Sequence, residues 1–265
     1  MDVATKLVPL NAFGIASTGG RILAIALSCL LLLAAWTSSP LAQTDTEVGM
    51  LEGQIKQFTD SHKFAEAKYA AERLLVILES KHGSTHPEVG YALRDLARLH
   101  ARLNGCTVAE PLLRRALSIF ETNEPPGHPA IAEHRNELAK CLIILRRHNE
   151  ADVILSTTIA EWRKSKAPAH PMITQVIQTK ANLLTHIGRL SEAIEYRRLV
   201  LSHYEAHLHP DSPFIAEAAN NLGTLYNTLG RFGEADALTT RALAGWERSL
   251  PPNHPWPAPS CDTRN

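Results

Sequence analysis

Residues 213–254 read PFIAEAANNLGTLYNTLGRFGEADALTTRALAGWERSLPPNH, and this 42-residue phrase can be laid over the chain four more times, without a gap, from residue 45. Pro87, Pro129, Pro171, Pro213 and Pro255 stand at equal steps of 42, with His86, His128, His170 and His254 before four of them and Ser212 before the other. A fixed period of this size marks a solenoid or array. The rest of the unit keeps the same register. One column reads Ala67, Ala109, Ala151, Ala193, Ala235, and another Ala97, Ala139, Ala181, Gly223. A third reads Leu75, Leu117, Ile159, Leu201, Leu243, and a fourth Leu78, Phe120, Trp162, Tyr204, Trp246.

Each unit reads as two helices. Proline at the first helical position costs nothing, because its missing N–H would be unpaired there anyway. Ser212 is a good N-cap before Pro213. The first helix runs about 16 residues, and Gly188 or Gly230 can take the left-handed conformation that ends it. The second helix is EADALTTRALAGWERSL in the last full unit and EPLLRRALSIFE in the first, both with apolar residues at helical spacing. Small columns let two helices approach while larger neighbours interdigitate around them. A lone helix pair cannot bury its apolar face, so the units must stack.

The stretch 86–121, HPxVxxxLxxLAxLH followed by AEPLLRRALSIFE, resembles the 42-residue kinesin-light-chain type of tetratricopeptide repeat, and ANNLGTLYNTLGRFGEADALTTRAL at 219–243 resembles it more closely still. The resemblance covers roughly residues 45–254. It implies an all-α fold, a right-handed superhelical solenoid of antiparallel helix pairs. The units are a weak first one at 45–86 and full ones at 87–128, 129–170, 171–212 and 213–254, with 255–265 a tail or a truncated next repeat. Three positions depart from the pattern: Arg146-Arg147-His148 replaces a Gly-Arg-aromatic turn, Arg197 stands where a large apolar residue is typical, and Cys106 replaces an aromatic.

The resemblance also implies a concave groove, lined by the first helix of each pair, that holds a peptide. Carried over by column, one row is Arg94, Asn136, Gln178, Asn220; a second is Arg98, Lys140, Asn182, Thr224; a third is Arg102, Ile144, His186, Thr228; Asn227 lies beside the last. Amides can donate to and accept from a peptide backbone, and arginine offers a planar fork to carboxylates. The expectation is a groove basic at its N-terminal end and amide-rich at its C-terminal end, suited to an acidic or extended segment. The same residue types also suit a merely solvated helix face.

Composition narrows the function classes. The chain has 265 residues, 45% hydrophobic, with 27 basic and 27 acidic residues. Without residues 1–42, which hold Lys6, Arg21 and Asp2, 25 basic residues face 26 acidic ones. Such a balance offers no electrostatic footprint for nucleic acid or for anionic membranes. Arg21 precedes fifteen uncharged residues, ILAIALSCLLLLAAW at 22–36, short of the ~20 that span a bilayer. Residues 1–43 therefore read as an export signal, with an N-terminal anchor or a buried core helix as alternatives, and the expected location is periplasmic or extracellular.

Cys106, Cys141 and Cys261 form no disulfide framework, and no CxxC occurs. Cys106 and Cys141 map to apolar columns and read as buried free thiols, although an oxidising compartment permits a bond between them. Of the thirteen histidines, those before the prolines read as structural. His203 and His207 share one helix face and, with His209, are the best candidates for a metal, but no HExxH accompanies them. With no nucleophile motif, phosphate loop or carboxylate pair, no cofactor, metal or catalytic residue is assigned. The chain reads as a non-catalytic scaffold for a protein or peptide partner, with a regulatory module of a larger protein as the second reading and a metal-dependent enzyme as the third. The unit that would begin at His254-Pro255 stops within ten residues of Pro255. The last full pair is therefore expected to show an apolar side, to be covered by a second copy, a partner or the tail.

Overall fold

A computed structural model describes residues 40–164 and 171–249. Ten helices and no strand occur among them. They are α1 (Pro40–Asp60), α2 (Phe64–His82), α3 (Pro87–Leu103), α4 (Cys106–Asn123), α5 (Pro129–Ile144), α6 (His148–Lys164), α7 (Pro171–His186), α8 (Leu190–His207), α9 (Pro213–Thr228) and α10 (Phe232–Ser249). The apolar run 22–36 lies outside the described residues, within which no helix is long and apolar enough to cross a membrane.

The helix starts follow from the His-Pro pairs. His86 and His128 are extended N-caps whose Nδ1 accepts the N–H of Glu88 and of Ala130, both at 3.3 Å. The imidazole thus satisfies one of the donors that a helix leaves open at its start, while proline fills the next position. Ser212 holds the cap position of α9, but its hydroxyl makes no cap bond. The second helices begin earlier than their apolar spacing suggests, at Cys106 and Phe232, and α4 continues through Pro111.

One turn joins the helices of four pairs. The N–H of Lys63, Arg147, Arg189 and Arg231 bonds back to the carbonyl of Phe58, Leu142, Leu184 and Tyr226, and the residue before each donor is left-handed: His62, Arg146, Gly188 and Gly230. This is the closure that usually recruits glycine. Arg146 adopts φ 63° with a Cβ, which costs an L-residue about 1–2 kcal/mol. Its side chain is exposed. Arg146→Gly is therefore expected to stabilise the fold by up to about 1 kcal/mol after glycine's greater unfolded-state entropy is counted. A thermal melt checks this, and a lower midpoint would show that the turn carries no strain.

The described residues from Leu51 onward form one compact unit. Its core runs from Ala97 to Trp246 as a single cluster, with satellites around Ala67, Ala71, Leu96 and Leu99 and around Phe120 and Ile131. Ala67, Ala109, Ala151, Ala193 and Ala235 are all buried, as are Ala97, Ala139, Ala181 and Gly223. A Cβ on Gly223 would lie 3.1 Å from Thr239 Oγ1 and 3.2 Å from the Ala235 carbonyl. The small columns thus mark the points of closest approach. The column Leu75, Leu117, Ile159, Leu201, Leu243 ends exposed at Leu243, and Phe232 on the same helix is 65% exposed. Residues 250–265, including the expected tail, lie outside the described residues.

Candidate functional site

α3 and α5, the first helices of successive pairs, share one face, as side chains reaching from one to the other demonstrate. Arg94 Nη1 donates to Glu133 Oε1 at 2.6 Å, and its Nε to Asp95 Oδ1 at 2.8 Å. Arg98 Nη2 lies 3.1 Å from Glu137 Oε1, and Lys140 Nζ donates to that same oxygen at 2.9 Å. Asp95 and Glu133 also fall within 4 Å of Arg98. Burial opposes the charge on Arg98, but the Glu137 hydrogen bond and the three carboxylates outweigh it and raise its pKa. Burial likewise opposes ionisation of Glu137, and Arg98 and Lys140 prevail, lowering its pKa.

The N-terminal end of this face, expected to be basic, carries Arg94, Arg98 and Lys140 paired with Asp95, Glu133 and Glu137 in a ladder of charges. Asp95 stands one position after Arg94 and three before Arg98, whereas Glu133 and Glu137 stand 39 residues after their arginines, three short of a full unit, and so fall outside the arginines' own columns. Arg102 is exposed, with its guanidinium 5.1 Å from the Phe64 ring centroid. Ile144 is exposed, and His186 meets the His148 ring edge-on at 5.3 Å.

The amide positions divide. Asn136, expected on the open face, is 1% exposed, and neither its amide nitrogen nor its oxygen has a partner. It shares its face of α5 with the buried Ala132 and Ala139, one turn to either side. Gln178 donates to the Tyr204 hydroxyl at 3.1 Å. Asn182 is exposed and accepts from Arg197 Nη2 at 2.5 Å. Asn220 is half-buried, and Asn227, Thr224 and Thr228 are exposed. Thr224 and Thr228 spend their hydroxyl protons on the carbonyls one turn back, those of Asn220 and Thr224.

His134, absent from the expected site, is buried against Phe120, with ring centroids 4.1 Å apart. Its Nδ1–H donates to the Ala130 carbonyl at 2.7 Å. Burial, assisted by the charge of Arg94, lowers its pKa despite the Ala130 bond. The unfolded chain thus takes up this proton first. The fold is expected to lose stability as pH falls below about 6.5, with no contribution from this group above it. Melts at pH 7.5 and 5.5 check this: the acid loss should shrink in His134→Phe, and an undiminished loss would exonerate the residue.

The histidines expected as the best metal candidates do not converge. The rings of His203 and His207 stack at 4.3 Å, His207 Nδ1–H donates to the His203 carbonyl, and His209 Nδ1 accepts the Asp211 N–H. The ligand atoms of His82, His86 and Glu88 do lie within 4.8 Å of one another. However, His86 Nδ1 spends its lone pair on the cap of α3. That tautomer carries its proton on Nε2, so a cation would have to break the cap. Cys106 and Cys141 are buried free thiols, as expected. The Cys141 S–H donates to the Cys106 carbonyl at 3.3 Å. Burial, helped by the neighbouring Cys106 side chain, pushes its pKa up, which keeps it a poor nucleophile.

The tetratricopeptide-repeat family model matches residues 57–122 and 172–248, together just over half of the chain. The chain belongs to the tetratricopeptide-repeat family. The unmatched stretch between them contains the left-handed Arg146 turn. No curated protein matches the chain. Among solved structures, the array is similar to the nearly identical TPR-like repeats of a kinesin-light-chain-type protein of Podosopora anserina, with TM-score 0.65 and 20% identity over 78% of this chain and 96% of that one. BtubC (BKLC) from P. vanneervenii aligns with TM-score 0.69 and 17% identity over 91% and 97%. A Rap protein complexed with Competence and Sporulation Factor aligns with TM-score 0.61 and 16% identity over 77% of this chain and 54% of that one. At these identities the likeness is one of fold.

Proposed function

We propose that this repeat array is a non-catalytic scaffold that holds an extended segment of a partner protein along the face of its first helices. The reading rests on one observation: on α7 and α9 that face carries Gln178, Asn182, Asn220 and Asn227 where a packed interface would be apolar. Amides can serve both the donors and the acceptors of an extended backbone. The similar Rap protein, complexed with Competence and Sporulation Factor, supports partner binding by this fold. The 42-residue units of the sequence reading, from 87–128 to 213–254, would each contribute one rung.

Crosslinking with mass spectrometry of the protein in its own cell tests the reading. Crosslinks to one partner should cluster on the first helices, for instance at the exposed Lys140. Crosslinks confined to the second helices would exclude it. Export, or anchoring through residues 22–36, is proposed from the apolar run. Cell fractionation with determination of the mature N-terminus tests that part. A regulatory module is the second reading, favoured by the match to about half the length of the Rap protein.

A further inference from the structure

Arg197 breaks the repeat at a core position. Its column is Leu113, Leu155, Arg197, Thr239, and both leucines are core residues. An arginine on α8 in a leucine position cannot leave its charge in the core, so the guanidinium turns toward α7. It emerges at the exposed Asn182 of α7, where Nη2 donates to Oδ1 at 2.5 Å. That is its one hydrogen bond among the described residues, and Nε is buried without a partner.

The charge is as poorly matched as the hydrogen bonding. Arg94, Arg98, Arg114, Arg135, Arg147 and Arg189 each hold at least one carboxylate within 4 Å. Among the described residues Arg197 has no such partner; Glu217 on α9 acts on it only from a greater distance. Burial makes the charged form costly and lowers the Arg197 pKa, with Glu217 opposing. Even so, a guanidinium stays protonated at any physiological pH. The array therefore keeps a half-buried cation with most of its five N–H donors unspent, and such an arrangement is costly unless something outside the chain completes it.

We propose that Arg197 is the receptor for an Asp or Glu side chain of an extended partner segment crossing α7 and α9, with Asn182 orienting the guanidinium. This rests on the scaffold reading above. A carboxylate matches the planar fork in two parallel bonds. Gln178, one turn before Asn182, and Asn220, one turn after Glu217, stand ready for the flanking backbone. A side chain fits better than a chain terminus, because helices of the array continue on both sides, α3 to α6 before and α9 to α10 after. Glu217 is then a gate: it competes with the incoming carboxylate by repulsion while tempering the unfilled cation.

The test is selection of displayed peptides, with randomised interior positions and both free and amidated C-termini, on the full chain. The wild-type protein should enrich Asp or Glu at one fixed position. Arg197→Leu, which restores the leucine of the other units, should still select peptides but lose that enrichment. Exchanging the selected Glu for Gln should weaken binding to wild type about tenfold or more and leave binding to R197L almost unchanged. Glu217→Gln should tighten acidic peptides. Selected peptides without an acidic position, or with the same one in R197L, would overturn the assignment. So would dependence on a free C-terminus alone. If wild type selects no peptide at all, the scaffold reading itself fails. If R197L does not fold, Arg197→Lys, which keeps the charge without the fork, must still weaken the acidic peptide, and full retention of its affinity would overturn the assignment.

Discussion

Asp152→Ala is expected to cost the array about 3–5 kcal/mol, the loss typical of leaving a buried charge without its partner. The charge at issue is Lys180 on α7, whose column otherwise reads Leu96, Leu138 and Leu222, all buried. Its side chain is 4% exposed. Nζ donates to the Asp152 carboxylate, to the Asp152 carbonyl at 3.3 Å and to Ser156 Oγ at 2.8 Å, all on α6. A leucine packs in this column by shape alone; the lysine packs only because α6 supplies three oxygens where the ammonium ends.

The two partners are unequal. Asp152 is less buried and keeps a second cation, Arg189, at 3.4 Å. Lys180→Leu is therefore expected to be near neutral, within about 1 kcal/mol, because an apolar replacement of a buried ion often matches it in stability. Chemical denaturation of both variants decides the matter. Equal losses would show that the ammonium is not stranded by the loss of Asp152, and a large loss in K180L alone would show that the leucine column does not accept leucine here.

Phe120→Ala is the second large expected effect, again about 3–5 kcal/mol, the usual cost of emptying an aromatic site in a core. Phe120 is 1% exposed and packs edge-on against Tyr91, with centroids 4.8 Å apart, and against the His134 ring. The ring fits because residue 90 on α3 is glycine: a Cβ there would sit 2.5 Å from Phe120 Cε2. Gly90→Ala should then cost about 1–3 kcal/mol through overpacking. The two changes should be less than additive in the double variant, since the added methyl enters the space the ring vacates. Additive losses in denaturation would show that the two positions do not share that space.

The repeat was plain in the sequence because its causes are local or periodic. His86 and His128 cap helices with atoms two residues away, and the alanine columns recur because each unit meets its neighbour in the same way. The site was read less well. Arg94 and Arg98 were visible as arginines, but a column reading sorts residues by their own position, whereas their charge is cancelled by Glu133 and Glu137 from the following unit. Asn136 shares a column with Gln178 and Asn220, yet it is buried while they reach at least part of the surface, because burial depends on the bulk of neighbours that differ from unit to unit.

The amino-acid order thus determined the number of helices in each unit, where the first of each pair starts and which stripes are small, since caps, breakers and helical periodicity act over a few residues. Only the packed array decided which polar groups remain open. Whether Lys180 finds three oxygens and Arg197 finds a single amide depends on how α7 and α8 lie against their neighbours, and electrostatic satisfaction is a property of that three-dimensional company.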